Sequence, residues 1–68
     1  MKYYCIGIKG TGMATLASML YDMGNTVSGY DDAKDYKFTE KGLRERGIEI
    51  FYDSTHPLDK DTIVTASK

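Results

Sequence analysis

The sequence is poor in the features that mark most specialised small proteins. It holds a single cysteine, Cys5, so no internal disulfide can form. That removes the staples on which small secreted domains depend and fits a reducing cytoplasm. The only histidine, His56, has no Cys or Asp partner at ligand spacing and reads as a surface loop residue. Asp31 and Asp32 are adjacent carboxylates without an evident third ligand, so no metal site is expected. The formal net charge is −1, which leaves no excess of Lys and Arg for a nucleic-acid backbone. No apolar run approaches the roughly 18 residues of a membrane span. The first residues, Met1 to Tyr4, enter a strand-like segment at once and carry no signal-peptide pattern. With 68 residues there is room for one small domain. A domain of that size buries only about 60% of the surface its unfolded chain exposes, so marginal stability is expected.

What is present alternates in period. Tyr3 to Ile8 is an aromatic and β-branched run ending at glycines, which predicts a strand buried on both faces beyond its first residues. From Gly12, the residues Met13, Leu16, Ala17, Leu20 and Met23 recur at helical spacing and predict one apolar stripe facing a core. Gly24 and Asn25 stop that helix. Thr26 to Tyr30 predicts a second strand, and Asp31 to Lys37 a polar loop. Thr39 to Arg46 predicts a short helix with Thr39 as N-cap, Phe38 packing back as a staple, Leu43 inward and Gly47 as the stop. Ile48 to Phe51 and Thr62 to Ala66 complete the strands, with a polar loop around Pro57 between them. Cys5, mid-strand, is expected to be buried and inert.

The order β-α-β-α-β-loop-β predicts an α/β fold, a Rossmann-like parallel sheet with right-handed crossovers. Two helices cannot cover both faces of four parallel strands. The chain therefore reads as one truncated unit of a three-layer domain, residues 1–68, whose unpaired strand edges can drive self-association.

The segment Gly7-Ile8-Lys9-Gly10-Thr11-Gly12 lies where the first strand turns into the first helix. The opening N–H groups of a helix have no intrahelical partners, and the dipole places partial positive charge there. Glycines let an anion approach the backbone without meeting a Cβ. Gly7 and Gly12 have Walker-loop spacing, but Met13 and Ala14 stand where Lys and Ser/Thr are needed, which argues against ATP hydrolysis by this loop. A nicotinamide or flavin fingerprint is matched only by Gly10, Gly12 and Thr15, with Thr in place of the third Gly or Ala. The third pattern, G-x-x-G-x-G-M opening an apolar helix, is met in full.

That pattern resembles the Mur ligase family. The stretch Tyr4-Cys5-Ile6-Gly7-Ile8-Lys9-Gly10-Thr11-Gly12-Met13 carries the likeness. It continues through Met19 to Asp31 with the Val27-Ser28-Gly29-Tyr30-Asp31 strand end, then Phe38 to Leu43 and Gly47 to Ile50. The loop Tyr52 to Pro57 departs from the family's usual segment, and many members have glycine where Lys9 stands. The resemblance implies an ATP-dependent step of peptidoglycan synthesis. The lactyl carboxylate of UDP-N-acetylmuramate is phosphorylated by ATP, and the acyl phosphate is attacked by the amine of L-alanine. It implies further that this chain is the UDP-binding N-terminal portion and carries no catalytic residue or cofactor of its own. ATP with its Mg, and the amino acid, would be bound by central and C-terminal domains absent here.

On that resemblance Gly7, Gly10, Thr11, Gly12 and Met13 are expected to cradle a diphosphate through backbone N–H groups. Lys9 reads two ways, as an ammonium meeting that anion or as a solvated lysine at a strand end. Asp31, ending the second strand, suits a ribose hydroxyl, or is a loop aspartate. Ser54, Thr55, Thr65 and Ser67 fall near the carboxyl ends of strands three and four, where ligands of open α/β sheets bind, and are expected to include uracil or ribose contacts. A related ligase acting on muramyl peptides, and a Rossmann module binding a nicotinamide dinucleotide, stay open as alternatives.

Overall fold

The computed structural model describes residues 1–35 and 37–66. Four strands, β1 (Lys2–Ile6), β2 (Thr26–Tyr30), β3 (Glu49–Phe51) and β4 (Thr62–Ala66), alternate with two helices, α1 (Thr11–Asp22) and α2 (Glu40–Glu45). They form one all-parallel sheet in the order β3-β2-β1-β4. This is the α/β, Rossmann-like arrangement expected from the alternation of periods. In register, Cys5 pairs with Gly29 on one side and Thr65 on the other.

From β1 to β3 the chain steps in one direction across the sheet, so right-handed crossovers place α1 and α2 on the same face. The core confirms it. Cys5 and Val27 from the strands pack with Met13, Ala14 and Ala17 of α1, Leu43 of α2 and Ile48. After β3 the chain reverses and returns to the far side of β1 through a helix-free segment. Its His56 ring stacks on Phe51 at 3.6 Å and lies nearly parallel to Tyr4 at 6.2 Å, on the face opposite the helices. His56 is thus half-buried and packed, where a plain surface residue was expected. The rest of that face is thinly covered, and Val64 is 50% exposed.

Several local expectations need correction. Strand β1 ends at Ile6, because Gly7 takes φ 79° and turns the chain out of the sheet. The buried stripe of α1 runs through Met13, Ala14 and Ala17, with Leu20 partly buried. The two alanines let the helix lie close on the sheet, which rotates Leu16, Met19 and Met23 outward; Met23 is 73% exposed. Phe38 is 76% exposed and forms no staple, because Leu43, the side chain it would meet, points into the core. Thr39 has helical φ and ψ and makes no cap bond. Its hydroxyl donates instead to the carbonyl of Lys9 at 2.7 Å. The predicted helix stops hold, with Gly24 at φ 97° and Gly47 at φ 77°.

Candidate functional site: the glycine loop at the reversal of the sheet

Strand order reverses between β1 and β4, and the carboxyl end of β1 at that point opens into the glycine loop. In open α/β sheets this is where a crevice for ligands forms. The loop is stitched to the end of β2. The N–H groups of Gly7 and Ile8 both donate to the carbonyl of Tyr30, at 2.8 and 3.1 Å. Gly10 N–H returns to the Gly7 carbonyl at 2.9 Å, closing a tight turn. A Cβ at Gly10 would stand 3.2 Å from that carbonyl oxygen, so the turn itself favours glycine there.

Gly10 is also the N-cap of α1, in an extended conformation and with no side chain to cap the helix. Its carbonyl accepts the first helical bond, from Ala14 N–H at 2.8 Å. Among the described residues nothing accepts from the N–H groups of Thr11, Gly12 or Met13. Three donors at the positive end of the helix dipole are therefore open at one place. Met13 offers only its backbone, since its side chain is in the core. Gly12 differs from Gly10: a Cβ there would meet nothing within 4 Å. The fold gives no steric reason for glycine at that helical position, and glycine inside a helix costs roughly 0.5–1 kcal/mol relative to alanine.

Asp31 sits against this loop, nearly buried at 7% exposure. Its Oδ2 accepts the Lys9 N–H at 2.9 Å and its Oδ1 the Ala33 N–H at 2.8 Å. Each carboxylate oxygen keeps a second acceptor direction. Thr65, half-buried, lies beside Cys5 one residue before the end of β4. Ser54 and Thr55 are exposed in the turn after Tyr52, and among the described residues neither hydrogen-bonds to the glycine loop or to Asp31. Ser67 lies outside the described residues.

Lys9 takes neither of the two orientations expected of it. Its side chain is fully buried, turned into the protein toward α2 and the segment after β2. The ammonium meets the Glu40 carboxylate at 2.5 Å, the carbonyls of Ala33 and Asp35 at 2.5 and 2.7 Å, and the Tyr52 hydroxyl at 3.3 Å. Burial pulls the lysine pKa down, but Glu40 and Tyr52 together outweigh it and hold it above the usual value. The Lys9 ammonium holds the Glu40 carboxyl below its usual range, against the opposing effect of burial and with a contribution from Arg44. Both groups are charged at neutral pH. Glu40 and Tyr52 were not singled out from the sequence, and Thr39 only as a helix cap. Glu40 opens a short polar helix, and nothing in its neighbours signals a partner as distant in sequence as Lys9.

Among the described residues, two hollows can be compared with the loop. One of about 250 Å³ lies between α1 and α2 beside Thr11, Thr15 and Thr39. A larger one, about 480 Å³, is lined by Lys2, Thr26, Glu49 and Thr62, at the amino ends of the four strands or next to them, remote from the open donors. Chemistry, not size, makes the glycine loop the candidate site. Among the described residues no group of three His, Cys, Asp or Glu side chains is placed to hold a metal ion, and no helix is long and apolar enough to cross a membrane.

Residues 2–67 match the family model described as Mur ligase family, catalytic domain. Among curated proteins the chain is 47% identical over 64 residues to UDP-N-acetylmuramate–L-alanine ligase of Streptococcus pneumoniae strain Spain 23F-1, and equally to that of strain JJA. Each alignment takes in 94% of this chain and 14% of the relative, so the chain spans about one-seventh of the length of these ligases. No solved structure matches.

Proposed function

The chain belongs to the Mur ligase family, and from that premise we propose that it is the UDP-N-acetylmuramate-binding portion of a ligase adding L-alanine to that sugar nucleotide in peptidoglycan synthesis. The observation that carries the reading is the open end of α1, with three unengaged N–H groups beside a Gly12 that the fold itself does not require. A diphosphate supplies the negative charge and acceptor oxygens such an end attracts. Gly7 and Gly10 shape the turn, Thr11, Gly12 and Met13 donate, and Asp31 receives a ribose hydroxyl. Thr65 stands at the reversal point, where base or ribose contacts are expected, and Ser54 and Thr55 would reach the ligand only with movement of their loop.

Residues 1–68 form, on this reading, one truncated N-terminal domain. The ATP-dependent step belongs elsewhere in the parent enzyme. Met13 and Ala14 occupy the positions a Walker loop gives to Lys and Ser/Thr, so this chain does not fit ATP and Mg and is expected to be inactive alone. The parent is expected to work in the cytoplasm. Among the described residues the outer edges of β3 and β4 are unpaired, which makes self-association of the isolated chain an expected side effect.

The test is an NMR titration of the chain with UDP-N-acetylmuramate and, in parallel, with NADH. Shifts at Thr11, Gly12, Met13 and Asp31 with the UDP-sugar alone support the proposal. Shifts with NADH alone would replace it with the dinucleotide reading, against which stands Thr15, exposed and bonded to the Thr11 carbonyl at 3.0 Å. In Gly12→Val, the new Cβ meets nothing within 4 Å in the free protein. The variant should therefore fold and lose the ligand. Unchanged binding would remove the loop from the site.

A further inference from the structure

Every polar atom of Lys9 is in use, and the partners come from three separate parts of the chain. Its N–H meets Asp31, its carbonyl the Thr39 hydroxyl, and its ammonium Ala33, Asp35, Glu40 and Tyr52. An ammonium has three protons. The three short contacts, to Glu40, Ala33 and Asp35, account for all of them, so Lys9 has none to offer a phosphate. The segment from Asp31 to Asp35 has no regular secondary structure. Its first residue is held by the Asp31 N–H on the Phe51 carbonyl and by the Lys9 N–H on the Asp31 carboxylate, and the rest by the Ala33 N–H on Asp31 and two carbonyls on the lysine ammonium. A buried ion pair is an expensive way to secure a loop, and an apolar pair of similar volume often gives equal or greater stability. What an apolar pair cannot do is bind two carbonyls, a helix start and the end of β3 at one point inside the glycine loop.

We infer that Lys9 is a positioning residue: it fixes the Asp31–Asp35 segment against the glycine loop and the start of α2, so that the Asp31 carboxylate and the open N–H groups of α1 address one nucleoside diphosphate together. The inference rests on the nucleotide-binding reading of the loop. It divides the ligand in two. The anion is held by backbone donors that do not need the lysine's charge, while the nucleoside depends on a carboxylate whose place the lysine sets.

The experiment uses the full chain, UDP and inorganic pyrophosphate as probes, and the charge-free double variant Lys9→Met/Glu40→Leu. Without ligand, ¹⁵N relaxation should show Ala33, Lys34 and Asp35 loosened in the variant, with Ala17, Val27 and Leu43 as rigid as before. Unaltered order at 33–35 would overturn the inference. With ligand, UDP affinity should fall by about tenfold more than pyrophosphate affinity, the cost of losing a preformed second contact. Equal losses would overturn it. If the parent chain binds neither probe, the nucleotide reading falls, and the relaxation result still decides whether Lys9 orders the segment. Should the double variant not fold, the ammonium ¹⁵N signal of Lys9 in the unaltered chain decides. A slowly exchanging signal that stays in place while pyrophosphate shifts the Thr11 to Met13 amides supports positioning. A signal lost to rapid exchange, or one that moves with those amides, refutes it.

Discussion

Replacing Glu40 with alanine puts the buried pair under direct test. The carboxylate is nearly inaccessible, with its side chain 3% exposed, and its main partner is a lysine whose side chain is 0% exposed. Removing one member of such a pair leaves a charge in the interior and costs about 3–5 kcal/mol. Here the Ala33 and Asp35 carbonyls stay on the ammonium, so the lower end, about 3 kcal/mol, is the better expectation. At roughly 0.05–0.15 kcal/mol per residue a chain of this length has only about 3–10 kcal/mol to lose. The variant should therefore stand close to unfolding. In urea titration followed by far-UV circular dichroism, the midpoint should drop by about 2–3 M, taking a slope near 1–1.5 kcal/mol/M for a small protein. Adding Lys9→Met and replacing Glu40 by Leu instead of Ala should restore most of that loss, because the uncompensated charge is gone. A midpoint shift below about 0.5 M for Glu40→Ala would refute the reasoning, since it would mean that water reaches the pair and screens it.

Three other outcomes are expected of the same fold. In Gly29→Ala, the added Cβ would run into the Cys5 carbonyl oxygen and stand 2.6 and 2.8 Å from Ile8 side-chain atoms; overpacking of about 1–3 kcal/mol or more is expected, read as a lowered melting temperature. The pair of Lys9 and Glu40 also sets a pH window. Glu40 is depressed, so its stabilising effect is present above its ordinary value of 4.5 and is lost as pH falls through the lower folded value. Lys9 is raised, so its effect is present below its ordinary value of 10.5 and is lost as pH rises beyond it. Urea midpoints across pH should show that plateau in the unaltered chain and a flatter profile in Lys9→Met/Glu40→Leu. By contrast Asp22→Ala, which removes the partner of Arg46 on the surface, should leave the urea midpoint close to where it was.

Much of the fold was legible because it rests on local chemistry. The strands Thr26–Tyr30 and Thr62–Ala66 fall where alternating and β-branched residues place them. Gly24 and Gly47 stop their helices through left-handed backbone that other residues avoid. The glycine loop was legible for the same reason, as was the burial of Cys5, whose thiol pKa burial pushes up. What could not be read locally was the rotation of α1, since small Ala14 and Ala17 outcompete larger Leu16 for the sheet by permitting closer approach. Lys9 was the hardest case. A lysine near a glycine loop is ordinarily solvated or aimed at an anion, and only the convergence of Ala33, Asp35, Glu40 and Tyr52 makes burial tolerable. That convergence is a property of the assembled sheet, not of any window of sequence.

The same convergence has a consequence for the order in which the protein assembles. The acceptors of Lys9 lie between 22 and 43 positions further along the chain. Closing loops of that span costs entropy before any contact rewards it. A lysine stripped of water ahead of its partners would be strongly unfavourable. The hydrophobic layer of β1, α1 and β2 needs no such coordination and can condense first from near neighbours. On that order the lysine knot is expected to close last, at the carboxyl end of the sheet. In refolding, far-UV circular dichroism is then expected to recover before the Lys9 ammonium protons become protected from exchange.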